Sequence, residues 1–66
     1  MIAEVAFNIP VERTFHYRVP GRLEGAIQLG VRVIVPFGPR ERIGFILRLP
    51  IRSPIRELKE LRRVLD

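Results

Sequence analysis

Basic and aromatic side chains interleave along Arg13-Thr14-Phe15-His16-Tyr17-Arg18. That pattern suits the holding of nucleic acid. Bases of any identity stack on aromatic rings, at about 1–3 kcal/mol per base, and guanidinium groups neutralise phosphate. The same two rings also fit a plainer role. Phe15 and Tyr17 fall on one face of a single strand, as core residues do. Phe15 stands near the strand start, where a ring can reach the mouth of a barrel. A second candidate is the connection Phe37-Gly38-Pro39-Arg40-Glu41-Arg42. Gly38 lets backbone approach a ligand with no Cβ in the way, or it simply serves a turn. Arg40 and Arg42 join Arg13 as possible phosphate contacts, or are solvated. Lys59 offers three donors on a point charge, which suits a phosphate or a terminal hydroxyl; the alternative is an ordinary surface lysine.

Other chemistries lack their parts. His16 is the single histidine and has no carboxylate neighbour in sequence. Ser53 is the single serine and lies in a proline-rich stretch, where a turn role outweighs a nucleophilic one. There is no cysteine, and no cluster of His or carboxylates at metal-ligand spacing. No GxxxxGK[ST] phosphate loop occurs. The expectation is a non-enzymatic chain with no cofactor of its own.

The totals agree with a binding module. The 66 residues carry a net charge of +5, and eleven of the twelve basic residues are Arg. A small domain this basic points first to nucleic acid, then to an anionic membrane or an acidic protein. A domain of this size is marginal alone, and no disulfide can staple it. The expected organisation is one module over residues 1–66, a fragment from the N-terminus of something longer. No apolar run nears the roughly 20 residues that span a bilayer, and Met1-Ile2-Ala3-Glu4 lacks the features of a secretory signal. A cytoplasmic location follows as an expectation.

The elements that must position these residues read mostly as strands, with period two. Ala3, Val5, Phe7 and Ile9 share a face until Pro10 interrupts the ladder. Thr14–Val19 puts Phe15, Tyr17 and Val19 together, and Pro20-Gly21 marks a turn. Val31, Val33 and Val35 share a face, followed by the breaker Pro36-Phe37-Gly38-Pro39. Over Arg42–Leu49, alternation places Ile43, Phe45, Leu47 and Leu49 inward, with Arg42, Gly44, Ile46 and Arg48 outward. Residues 55–65 are ambiguous. Ile55, Leu58, Leu61 and Leu65 fit a helical face, yet an exposed sheet edge needs a closing partner. The fold class expected is mostly β: a small OB- or SH3-like barrel of about five short strands, with the option of a short helix near the C-terminus.

Several stretches, in order, resemble the N-terminal 3′-end DNA-binding domain of the PriA family of primosomal replication-restart helicases. They are Val5-Ala6 with Pro10, Arg13-Thr14-Phe15-His16-Tyr17, Gly30-Val31-Arg32-Val33, Val35-Pro36-Phe37-Gly38, Arg42-Ile43-Gly44, Glu57-Leu58-Lys59 and Val64-Leu65-Asp66. The resemblance implies a module that holds the 3′ end of the nascent leading strand at a stalled fork without base preference. It implies a pocket at Phe15, His16, Gly38 and Lys59, and a closing strand rather than a helix over Leu58–Leu65. The family commonly has Asp where this chain has His16. A carboxylate only accepts hydrogen bonds, whereas a neutral imidazole both accepts and donates. For the whole protein the resemblance implies a 3′→5′ helicase using ATP, Mg and structural Zn, associated with the nucleoid. Its partners would be DNA forks with 3′ termini, primosome proteins and single-stranded DNA-binding protein, with no membrane. Two other classes share the charge and strands: an SH3-like RNA- or ribosome-binding module, and a barrel that docks an acidic protein.

Overall fold

The computed structural model describes residues 1–10 and 12–66. Its five strands are β1 (Ile2–Ala6), β2 (Thr14–Arg18), β3 (Arg32–Phe37), β4 (Arg40–Arg48) and β5 (Arg63–Val64), with a 3₁₀ helix at Gly21–Ala26. They form one antiparallel sheet in the order β2-β1-β4-β3-β5. The ends of this sheet are joined. Arg18 donates its N–H to the Lys59 carbonyl and accepts from Leu61 N–H, both at 2.9 Å. This parallel bridge sets Glu60 beside β2. A few residues later Arg62 N–H donates to Ile34 O at 2.8 Å, on β3. Residues 59–64 thus close a small barrel, the strand reading of the tail. No helix forms at 55–65. The demand of two open sheet edges for partners outweighs local helix propensity there.

The interior follows the period-two faces on most strands. Ala3, Val5 and Phe7 are buried from the first segment, Tyr17 and Val19 from the second, and Val33 and Val35 from the third. Leu61, at 0% exposure, plugs the closing side. The Tyr17 phenol is buried with its O–H donated to Pro36 O at 2.8 Å, which satisfies the one polar group that the ring brings inside.

On β4 the faces are the reverse of the alternation reading. Gly44 and Ile46 point into the core, while Ile43, Phe45, Leu47 and Leu49 are 38–49% exposed. The hairpin sets this register. Phe37 pairs with Arg40 across the two residues Gly38-Pro39. Gly38 has φ +60°, and Pro39 is held at negative φ by its ring, so the turn is of the II′ kind with glycine first. Counting back along the ladder puts Val35 opposite Arg42 and Val33 opposite Gly44. Directly opposed residues share a face, so Gly44 must face inward with Val33. A β-bulge then follows: Val5 pairs with Ile46 but Glu4 with Arg48, leaving Leu47 as the extra residue.

Glycine at 44 is a packing requirement. A Cβ there would collide with the Val5 side chain and lie 3.0 Å from the Ala6 carbonyl oxygen and 3.1 Å from Phe7 Cε1. The backbone oxygen cannot rotate away, so β1 and β4 would have to separate. Gly44→Ala is expected to destabilise the fold by about 1–3 kcal/mol, read as a lower denaturation midpoint; an unchanged midpoint would contradict this packing. A second expectation concerns Tyr17. Burial raises its pKa above the ordinary value. The stability that follows is fully present below about pH 10, the unfolded value, and is lost as pH rises through the folded value. Because Tyr17 is the only tyrosine, alkaline absorbance titration reports it alone. Its tyrosinate signal should rise at higher pH in the folded chain than in denaturant.

Candidate nucleic-acid interface

A gap opens where the β3 ladder stops. Along β3, Arg32 and Ile34 give their carbonyls to Leu65 and Arg62. Pro36, the next residue on that side, lies past the end of β5 and has no N–H to offer. Its carbonyl turns to the Tyr17 hydroxyl instead. The result is a cavity of about 630 Å³ bounded by β2, the β3–β4 hairpin and the segment leading into the closing strand.

Most of the residues singled out by sequence meet here. Arg13, Phe15, His16, Gly38 and Lys59 all line the cavity, although they come from three separate parts of the chain. Arg40 and Arg42 lie outside its lining, on the returning strand of the hairpin. The Arg42 guanidinium stands 5.2 Å from the centre of the Phe37 ring, and the Arg13 guanidinium 4.6 Å from that of Phe15. Such cation–π contacts contribute about 0.5–1 kcal/mol at exposed sites.

The two readings of the aromatic pair divide between its members. Tyr17 is core. Phe15 is partly buried and sits in a triangle with Phe7 and Phe37, with ring centroids 4.8–5.4 Å apart. It meets Phe37 edge-on at 85°, a favourable quadrupole geometry. The triangle ties the cavity wall to the core, so the Phe15 ring has little freedom to move.

His16 is engaged on both sides. Nδ1 lies 2.6 Å from Ser53 Oγ, and Nε2 lies 3.4 Å from Glu4 Oε1. Ser53 Oγ also accepts Ile55 N–H at 3.1 Å, so its own proton is free to go to Nδ1, leaving Nε2–H to face the carboxylate. Glu4 is only 12% exposed, and its other oxygen accepts from Thr14 Oγ1 at 3.1 Å and Arg48 at 3.2 Å. This chain of contacts fastens the loop carrying Pro54 and Ile55, which forms one wall of the cavity, to β2 and β1.

Sequence reasoning missed two of these features. Glu57 also lines the cavity, beside Lys59; period two, applied back from Lys59, would have put the pair on one side. Ser53 and Glu4 meet His16 across 37 and 12 residues, with no local pattern to join them. Glu4 is the cross-strand partner of His16 in the β1–β2 pairing. Neither Glu57 nor Lys59 forms an ion pair among the described residues. The cavity therefore offers an aromatic surface, a free ammonium and a free carboxylate within one concave space.

Residues 4–66 match the family model described as the 3′ DNA-binding domain, or 3′BD, of PriA. The chain is 41% identical over 69 aligned positions to the replication restart protein PriA of Bacillus subtilis, which covers 97% of the chain. The corresponding protein of Haemophilus influenzae is 37% identical over 67 positions and 98% of the chain. That of Treponema pallidum is 35% identical over 69 positions and 96% of the chain. The chain spans only 9–10% of the length of these relatives. Matched along nearly its whole length by these relatives, and carrying a basic, aromatic-walled cavity, the chain belongs to the PriA 3′ DNA-binding domain family, the DNA-binding domain of replication restart proteins.

Proposed function

We propose that the cavity seats the 3′-terminal nucleoside of a DNA strand, whatever its base, and so directs a replication-restart helicase to the nascent leading strand at stalled forks. The convergence of Phe15, His16, Gly38 and Lys59 on one cavity carries this reading. Stacking on aromatic rings is indifferent to the identity of the base. The cavity lining offers that ring surface in Phe15 and Phe37, with Glu57 and Lys59 assigned in this proposal to the terminus. A terminus is recognised by what ends it. Lys59 donates to the last phosphodiester or to the terminal hydroxyl, and Glu57 accepts the hydroxyl proton. The same Glu57 carboxylate repels a strand that ends in phosphate.

In this scheme His16 braces the wall, and its imidazole edge contacts the nucleoside. The Ser53–His16–Glu4 order is that of a hydrolase triad. However, Ser53 Oγ already accepts a backbone N–H, and the role we assign to the set is structural, in a non-catalytic module. ATP, Mg and Zn, together with contacts to primosome proteins and single-stranded DNA-binding protein, belong in this proposal to the remainder of a full-length cytoplasmic protein.

Binding of short oligonucleotides ending in 3′-hydroxyl or 3′-phosphate tests the reading directly. The hydroxyl end should bind more tightly, by about tenfold or more, the size of one charge-assisted hydrogen bond. Equal affinity would sink it. Glu57→Gln should narrow the difference, mainly by admitting the phosphate end. Lys59→Ala should weaken both ends by a comparable factor and leave the melting temperature unchanged, because Lys59 is exposed.

A further inference from the structure

We propose that a second, basic cleft guides the strand leading to the seated terminus, with Arg22 and Arg62 neutralising its internal phosphates. This rests on the end-binding reading and adds the path and polarity of the strand. The cleft, of about 470 Å³, adjoins the first cavity and shares Pro36, Gly38 and Lys59 with it. A nucleoside seated in the first space has its chain running away from the 3′ end. The shared rim gives that chain a way out.

Gly38 forms the saddle between the two spaces. A Cβ built on it would meet nothing within 4 Å, because the position faces open space on the rim. A sugar-phosphate chain can therefore cross close to the backbone, and the positive φ that glycine supplies holds the saddle in place.

The charges on the far side favour an anion. Arg22, Lys59 and Arg62 face the cleft, with Glu60 as the opposing carboxylate. Glu60 is already paired with Arg18 at 3.0 Å, so its charge is largely spent within the protein. Arg62 stands on the closing segment with its N–H bonded to β3. It pairs with Glu41 through Nε at 3.5 Å, which balances part of its charge but leaves its two terminal nitrogens for a ligand. Arg22, on the 3₁₀ helix, donates to the Arg62 carbonyl at 3.3 Å. The Arg22 guanidinium is therefore anchored at the backbone of Arg62; both residues line the cleft, and neither lines the first cavity. Three cations along a rim are matched by phosphates of a single strand.

The test uses the 66-residue chain, thymidine 5′-monophosphate, and thymidine tetranucleotides ending in 3′-hydroxyl or 3′-phosphate. Wild type should bind the 3′-hydroxyl tetranucleotide more tightly than the mononucleotide. The slope of log affinity against log salt should fall by about 1.4 in Arg22→Ala/Arg62→Ala, from about 0.7 per phosphate on a single strand. The same variant should lose the gain from added length while keeping its affinity for the mononucleotide. Arg52→Ala/Arg63→Ala makes an equal charge change outside both spaces and should keep the length gain. An unchanged slope in the first variant, or equal losses in both, overturns the proposed path while the preference for a hydroxyl end survives. Equal wild-type affinity for the two tetranucleotide ends removes the seated terminus, and the path with it.

Discussion

Two backbone hydrogen bonds at Arg18 hold the structure together. They join residues 59–61 to β2, while Arg62 and β5 join the same stretch to β3. Without this closure the sheet would have two free edges, and Leu61 would leave the core open on one side. Closure also sets the position of Lys59. Its carbonyl is one of the bonded groups, so its side chain is directed from a fixed backbone to the rim shared by both clefts. A lysine is a flexible residue, but here its root is as rigid as a strand. The domain therefore builds its site and completes its core with the same few residues, which suits a chain too short to provide separate elements for each task.

The strands were legible in the sequence because alternation, proline and glycine mark them clearly. The face of β4 was not. Alternation alone weighs four large apolar residues, Ile43, Phe45, Leu47 and Leu49, against Gly44 and Ile46, and it favours the wrong set. The deciding information lay in the turn. A two-residue connection at Gly38-Pro39 fixes which residues oppose each other, and the valines of β3 then place Gly44 inward. Reading the register from the turn would have given the correct face. The tail shows a second limit of local reading: its helical periodicity was real, but the open sheet edges settled its conformation.

The site was legible in part. Arg13, Phe15, His16, Gly38 and Lys59 were chosen for their chemistry, from the residue pattern and the family resemblance, and the fold gathers them. What spacing could not show was the support behind them. The Ser53–His16–Glu4 contacts span distant segments, and the aromatic triangle of Phe7, Phe15 and Phe37 draws on three strand regions. Arg40 and Arg42 were plausible by charge, but they stand outside the cavity lining, because the tight hairpin carries the returning strand away from it.

The Glu4–His16 contact also constrains how this sequence can change. The family that this chain resembles commonly has aspartate where His16 stands, and a carboxylate there would stand across the ladder from Glu4, where like charges oppose folding. A carboxylate could still accept the Ser53 hydroxyl proton, but it has no N–H to turn towards Glu4. Positions 4 and 16 are thus coupled through the ladder: the charge that residue 16 can carry at little cost depends on the charge at residue 4.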